Sequence, residues 1–220
     1  MERALRVPDL AAPGGLVLRP WRMSDLDLVR EAAEDPYIPL VTTVPSPYSE
    51  AGGRAFVERQ WGRAESGAGY PFVLVDAGGR SVGAVGLWPE AGEGAGATLG
   101  YWVVASARGR GAAAAGLAAV ADWALGELGV PRLVLHVEPW NAASVRVAER
   151  AGFRREGVRE GWLRVGGERR DVLVFVLSRG GGRATGRRAD GGGERATGRR
   201  AGATSRTSRA PGHDRATGMH

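Results

Sequence analysis

Apolar residues recur along this chain with two different periods, and the switches between them mark its elements. Leu16-Val-Leu-Arg-Pro-Trp21 alternates as a half-buried strand does, then yields to Ser24-Asp25, an N-cap pair ahead of Leu26, Leu28 and Val29 at helical spacing. The proline-rich segment from Asp35 to Ser49 predicts a loop, and Phe56, Val57 and Gln60-Trp61 predict a helix over Glu50 to Glu65. Tyr70 to Val75 and Ser81 to Trp88 are strand-like runs around Asp76-Ala-Gly-Gly-Arg80, a hairpin turn in which glycine takes a positive φ without steric cost. A second glycine-rich turn, Glu90 to Gly96, leads into a strand over Thr98 to Val104.

From there the period becomes helical. Leu117, Val120, Ala124 and Leu128 form one stripe of a helix from Arg110 to Leu128, stopped by Gly129-Val-Pro131. Arg132 to Val137 is a strand, and Asn141 caps a helix to Arg150 with Gly152 as its C′ residue. Phe153 to Arg164 and Asp171 to Leu177 are two further strands joined at Gly166-Gly167. The strand-helix-strand unit from Thr98 to Val137 demands a parallel pair, whereas the hairpins on either side demand antiparallel ones. The expected fold class is α/β (α+β), with a mixed, mostly antiparallel sheet of about seven strands flanked by about four helices.

Composition divides the chain into a body and a tail. Between Gly180 and Gly218 no aromatic or large aliphatic side chain occurs, and Arg183-Ala-Thr-Gly-Arg-Arg188 recurs as Arg195 to Arg200. Such a segment cannot offset its ordering entropy, so residues 179–220 are expected to be a disordered tail. Residues 15–178 form the expected domain, and 1–14 an N-terminal extension. The tail also explains the charge. From Arg179 onward ten arginines stand against Asp190, Glu194 and Asp214, a balance of +7 that leaves the body at −1 of the chain's net +6.

With no cysteine, disulfides, thiolate metal sites and a cysteine nucleophile are all excluded. A cytoplasmic location fits that usage. Met1 to Leu16 has no apolar core of the kind a secretory leader needs. The most apolar stretch, Gly111 to Val130, is largely Ala and Gly and contains Asp122 and Glu127, which suits a buried helix rather than a membrane span.

The segment that carries chemistry is Tyr101-Trp-Val-Val-Ala-Ser-Ala-Arg-Gly-Arg-Gly-Ala-Ala-Ala-Ala-Gly-Leu117. A strand ends, a short loop follows, and a helix of small residues begins at once. The first amides of a helix have no intrahelical acceptor and carry the positive end of its dipole, so such a start binds anions. The same glycines and alanines would also serve a tight turn and close helix packing.

Arg108-x-x-Gly111-x-Ala113 resembles the pyrophosphate-binding signature Arg/Gln-x-x-Gly-x-Gly/Ala of the GNAT acetyltransferase superfamily, and it lies between strand and helix as it does there. Downstream, Asn141-x-x-Ser144-x-x-x-x-Glu149-x-x-Gly152-Phe153 is similar to the ribosomal-protein-modifying RimJ/RimL branch. The resemblance covers residues 15 to 178 and has no counterpart for the tail.

The resemblance implies acetyl-CoA as acetyl donor, a primary amine as acceptor, direct attack in a ternary complex, and no metal. It assigns the diphosphate to Arg108 and the backbone of Gly109, Arg110, Gly111, Ala112 and Ala113. Pantetheine would lie where the family's fourth and fifth strands splay apart, paired with Val103 and Val104. Asn141 would touch the cofactor arm and Ser144 the departing thiolate. Relatives outside this branch place a Tyr on that helix as acid, but here every Tyr lies at or before Tyr101. Relatives also carry a Glu where this chain has Thr98. Glu138 is the first substitute base and Glu160 the second, each weighed against a solvated surface charge. His136, Glu149 and Asp171 read as structural, and Trp21, Trp61, Trp88 and Trp140 as core, rim or cleft lining.

The acceptor class stays open between a protein N-terminal α-amine, which the branch favours, and a small-molecule amine. A homodimer is a candidate assembly, and no membrane contact is expected. Two rival readings are a non-catalytic acetyl-CoA sensor and an RNA or ribosome partner acting through the tail. The tail's arginines can neutralise phosphates, but it lacks the aromatic platforms of single-strand binders.

Overall fold

The computed structural model of the protein describes residues 6–92 and 95–179. The repeated Arg-Ala-Thr-Gly segment lies outside them.

The predicted hairpin turn at Asp76–Arg80 closes through the residues it requires. Asp76 Oδ1 accepts hydrogen bonds from the Gly78 and Arg80 amides at 3.0 and 2.9 Å, and Gly79 takes φ +82°. The described residues form eight strands, β1 (Leu10–Ala12), β2 (Leu16–Pro20), β3 (Tyr70–Val75), β4 (Ser81–Pro89), β5 (Ala97–Val103), β6 (Arg132–Val137), β7 (Arg154–Val165) and β8 (Glu168–Ser178). They lie in one open sheet in the order β1-β2-β3-β4-β5-β6-β8-β7. All neighbours are antiparallel except β5 and β6.

That one parallel pair joins the strands on either side of the long helix, as the strand-helix-strand reading requires. It is also short. Ala97, Thr98 and Leu99 pair with Leu133, Val134 and Leu135, and beyond Leu99 the two strands part. The residues Gly100 to Val103 of β5 are then paired only with β4. These are the strands expected to splay, fifth and sixth here because β1 adds an edge strand ahead of them.

The helices are α1 (Leu26–Ala33), α2 (Ile38–Val41), α3 (Glu50–Glu65), α4 (Ala112–Gly126) and α5 (Ala142–Arg150). Helix α4 packs closely on the sheet through Gly116, where an added Cβ would stand 3.1 Å from Leu74 Cδ1. Leu117, Val120, Ala121 and Ala124 are fully buried beside it in the core that Leu74, Leu87, Leu99 and Leu133 share.

Several expectations are corrected. Leu10–Ala12, placed ahead of the domain by its short and weakly apolar sequence, pairs with β2. The proline-rich segment contains α2, because Asp35 Oδ1 accepts from the Tyr37 and Ile38 amides at 2.8 and 3.0 Å and so caps a turn that begins with proline near its start. Asp25 does not cap α1 with its side chain. It is 1% exposed, receives both guanidinium nitrogens of Arg19 at 2.9 and 2.7 Å, and bonds the Ser81 hydroxyl, tying β2 to β4. Among the described residues no helix is long and apolar enough to cross a membrane.

Candidate active site at the parting of β5 and β6

The end of β5 beyond its parting from β6, together with α2, α5 and the start of α4, encloses a cleft of about 570 Å³. Its floor includes Tyr101, Trp102 and Val103, and one wall is the loop and helix start Arg108, Gly109 and Gly111 to Ala114.

Gly109 and Gly111 have φ of +79° and +81°, a conformation that costs L-residues with a side chain. Gly111 is therefore the N-cap of α4, and the helix starts at Ala112 rather than Arg110. The first bond of its ladder runs from the Ala115 amide to the Gly111 carbonyl at 3.0 Å. By contrast, α3 and α5 are capped by the side chains of Ser49 and Asn141, which accept from the Gly52 and Ser144 amides. Helix α4 has no side-chain cap and no acidic residue in its first turn. Its opening amides and dipole are left for an anion in the cleft.

Arg108 is partly committed. Its Nη2 donates to Asp35 Oδ2 at 2.5 Å and its Nε to the Val103 carbonyl at 3.0 Å, so it ties the loop to α2 and β5. Burial pushes the Asp35 carboxyl up, but the Ile38 and Tyr37 amides and Arg108 outweigh it and hold the group below its usual range. Arg110 is exposed and lies off the cleft wall. Val104 is fully buried, and its amide donates to the Val82 carbonyl at 3.1 Å, toward β4. Backbone groups alternate sides along an antiparallel strand, so Tyr101 and Val103 present theirs to the parted side and Val104 does not. That corrects the expected pairing through Val104.

Helix α5 forms the facing wall. Asn141 Oδ1 accepts from the Ser144 amide at 3.0 Å, which fixes the helix start and leaves the Asn141 amide nitrogen and the Ser144 hydroxyl toward the cleft they line. Arg146 and Arg150, one turn apart, line it as well.

Glu138 is not the surface charge that its position after a strand suggests, being 3% exposed. The Tyr37 hydroxyl donates to its Oε2 in a short hydrogen bond, while Oε1 is buried without a hydrogen bond, 3.7 Å from Arg170 Nη1. Burial and the Glu138 carboxylate raise the Tyr37 phenol above its ordinary value. Tyr37 lines the cleft and packs edge-on against Trp140, which is 58% exposed. Glu160 is exposed on β7.

The other singled-out residues fall elsewhere. Trp21 packs on Phe56 in the core, Trp61 donates to the Trp21 carbonyl, and Trp88 lies under Arg63. Asp171 accepts the Gly161 amide and shapes the β7 bend. Thr98 donates to Glu90 Oε1 at 3.4 Å, so a carboxylate does stand beside the position where relatives carry Glu. Tyr37, Tyr101, Arg146 and Arg150 were not among the expected site residues. Only the two arginines had a local signal, their spacing of one helical turn after Asn141.

Sheet, cleft and helix start together have the architecture of the GNAT fold. Residues 15–154 match the acetyltransferase (GNAT) domain family, and the chain belongs to it. The solved structure of Mycobacterium smegmatis RimJ in complex with CoA-disulfide is 28% identical, with a TM-score of 0.67 over 78% of this chain and 86% of that one. RimL, described as a ribosomal L7/L12 alpha-N-protein acetyltransferase in complex with coenzyme A, superposes with a TM-score of 0.67 over 78% of this chain and 98% of that one. At 20% identity this second likeness is one of fold. The probable N-acetyltransferase YjcK of Bacillus subtilis (strain 168) is 32% identical over 81 residues, 37% of this chain and 45% of that protein. The match thus spans less than half of that relative's length. The likeness to RimJ supports the RimJ/RimL resemblance.

Proposed function

We propose that this protein is an acetyl-CoA-dependent N-acetyltransferase that moves an acetyl group to a primary amine by direct attack in a ternary complex. The observation that carries the reading is the start of α4, a glycine-capped helix end with no side-chain cap and no acidic residue, opening on the cleft where β5 and β6 part. Bound there, acetyl-CoA supplies the acetyl thioester.

Gly109, Gly111, Ala112 and Ala113 would hold the diphosphate through their amides, with Arg146 and Arg150 adding positive charge from α5. Tyr101 offers its backbone edge where β6 has parted and Val103 its amide, the Val103 carbonyl being held by Arg108, while Asn141 offers its side-chain amide and Ser144 a hydroxyl. The acceptor must lose a proton. Of the two carboxylates nearest the cleft, Asp35 is a weak base, since three donors already hold it ionised. Glu138 keeps an oxygen with no hydrogen bond and reaches the cleft through Tyr37. Tyr37 would take the amine proton as it passes its own to Glu138.

An α-amine with an unperturbed pKa of about 7.7–8.0 needs less of this help than a lysine near 10.4, which favours a protein or peptide N-terminus as acceptor. The lack of cysteine fits action in a reducing cytoplasm.

Coenzyme A release measured against a panel of peptides and small amines, with mass spectrometry of the acceptor, tests the reading. Acetylated acceptor with stoichiometric thiol release is expected. Tight acetyl-CoA binding with no turnover on any amine would favour the sensor reading instead.

A further inference from the structure

We infer that the Tyr101 hydroxyl, set beside Ser144 at the point where β5 leaves β6, is the hydrogen-bond donor that stabilises the departing thiolate sulfur. The inference rests on the acetyl-transfer reading above.

Tyr101 lies two residues beyond Leu99, the last residue of β5 that pairs with β6. Side chains alternate along a strand, so Tyr101 and Trp102 point to opposite faces. Trp102 packs toward Trp21, their rings 6.2 Å apart, and Tyr101 stands on the face of the cleft that Asn141 and Ser144 also line. The Tyr101 oxygen is buried, and among the described residues no group meets hydrogen-bond geometry with it, the Ser144 hydroxyl being close enough to act on it electrostatically. A buried hydroxyl without a partner is costly, and sites built to receive a ligand atom are where folds keep one.

Burial pushes the Tyr101 phenol up to about 12, and the nearby Ser144 hydroxyl is the group that opposes the rise. A thiol titrates near 8.5 when unperturbed. Handing the phenol proton to the thiolate would therefore be uphill, so Tyr101 keeps its proton and acts as a donor. In the step, the amine nitrogen bonds the acetyl carbon and the carbon–sulfur bond breaks with its electron pair left on sulfur. The proton lost by nitrogen leaves through Tyr37 and Glu138, and the sulfur is protonated later from solvent. Tyr101 thus does from β5 what a tyrosine on α5 would do.

The test is titration of the thiol of bound coenzyme A, followed by thiolate absorbance, in the full chain and in Tyr101→Phe and Ser144→Ala. The wild type should hold the bound thiol below its free pKa. Tyr101→Phe should raise it by about one unit, and Ser144→Ala by less. In turnover, Tyr101→Phe should lower kcat roughly 10- to 100-fold with little change in the KM for acetyl-CoA. Binding of coenzyme A with the same thiol titration in wild type and Tyr101→Phe overturns this inference alone. Failure of the wild type to bind coenzyme A overturns it together with the transfer reading.

Discussion

The Tyr37 hydroxyl donates to the Glu138 carboxylate across 101 positions of sequence, and Tyr37 itself lines the cleft. Two groups that share one proton path should behave as a unit. Glu138→Gln keeps the shape and removes the base, so kcat should fall by about 10²-fold while the KM for acetyl-CoA stays near the wild-type value. Tyr37→Phe should cost a similar factor, and the double variant little more than the worse single one. Steady-state kinetics of the four proteins decide it. Multiplicative losses would mean that the two residues act separately.

Gly111 separates conformation from charge. An added Cβ there meets nothing within 4 Å, yet φ is +81°, so Gly111→Ala and Gly111→Glu share one backbone penalty of about 1–2 kcal/mol and no clash. What differs is a carboxylate at the positive end of α4. Gly111→Glu should melt no lower than Gly111→Ala, Gly111→Ala should bind acetyl-CoA within a few fold of wild type, and Gly111→Glu should lose at least about 100-fold in affinity. Calorimetric titration beside thermal melts makes the comparison. Equal affinities in two folded variants would remove the diphosphate from this site.

Legibility in the sequence follows the range of the interactions concerned. Glu50–Glu65 and Arg132–Val137 fall on the predicted residues because local period and turn chemistry set them. The glycine-rich loop ahead of α4 was legible for the same reason, although the positive φ of Gly111 moves the helix start from Arg110 to Ala112. Leu10–Ala12 was not, because three residues are too few to show a period and its pairing with β2 is a tertiary choice. Glu138 looked like an exposed charge until Tyr37 and Arg170, both distant in sequence, closed around it. Alternation does predict that Tyr101 opposes Trp102. Which of the two stands on the side of α4 and α5 depends on which face of the sheet those helices cover, and no local pattern encodes that.

The Arg19–Asp25 pair is nearly closed off from solvent and also holds Ser81, so breaking it leaves an uncompensated buried charge. Asp25→Ala should cost about 3–5 kcal/mol in urea unfolding. Burial pushes the Asp25 carboxyl up, yet Arg19, Ser81 and the Arg22 amide outweigh it and leave the group below its ordinary value. A depressed carboxyl contributes its stability fully above the unfolded pKa of about 3.9, and that contribution is lost as pH falls through the lower folded value. The acid limb of the stability curve below pH 4 should therefore be shallower in Asp25→Asn than in the wild type. An unchanged limb would assign acid unfolding to other groups.

His136 titrates in a different window. The β7 bend at Gly161, held by Asp171, lays Trp162 against its imidazole with ring centres 5.9 Å apart, and Arg159 sits 4.4 Å over the same indole. Nε2 is buried without a hydrogen-bond partner among the described residues, and burial, aided by Arg159, pushes the group down to about 4 from an ordinary 6.5. The folded protein thus keeps a neutral imidazole that the unfolded chain protonates. Stability from this source is fully present above about pH 6.5, falls as pH drops toward 4, and loses at most about 1.4 kcal/mol per pH unit between. Urea midpoints measured from pH 8 to pH 4.5 should fall in the wild type and stay nearly level in His136→Leu, whose leucine neither titrates nor buries an unpaired nitrogen. Parallel curves for the two proteins would show that the imidazole finds a partner or solvent in the fold, and that its neutral form is not what the bend over Trp162 protects.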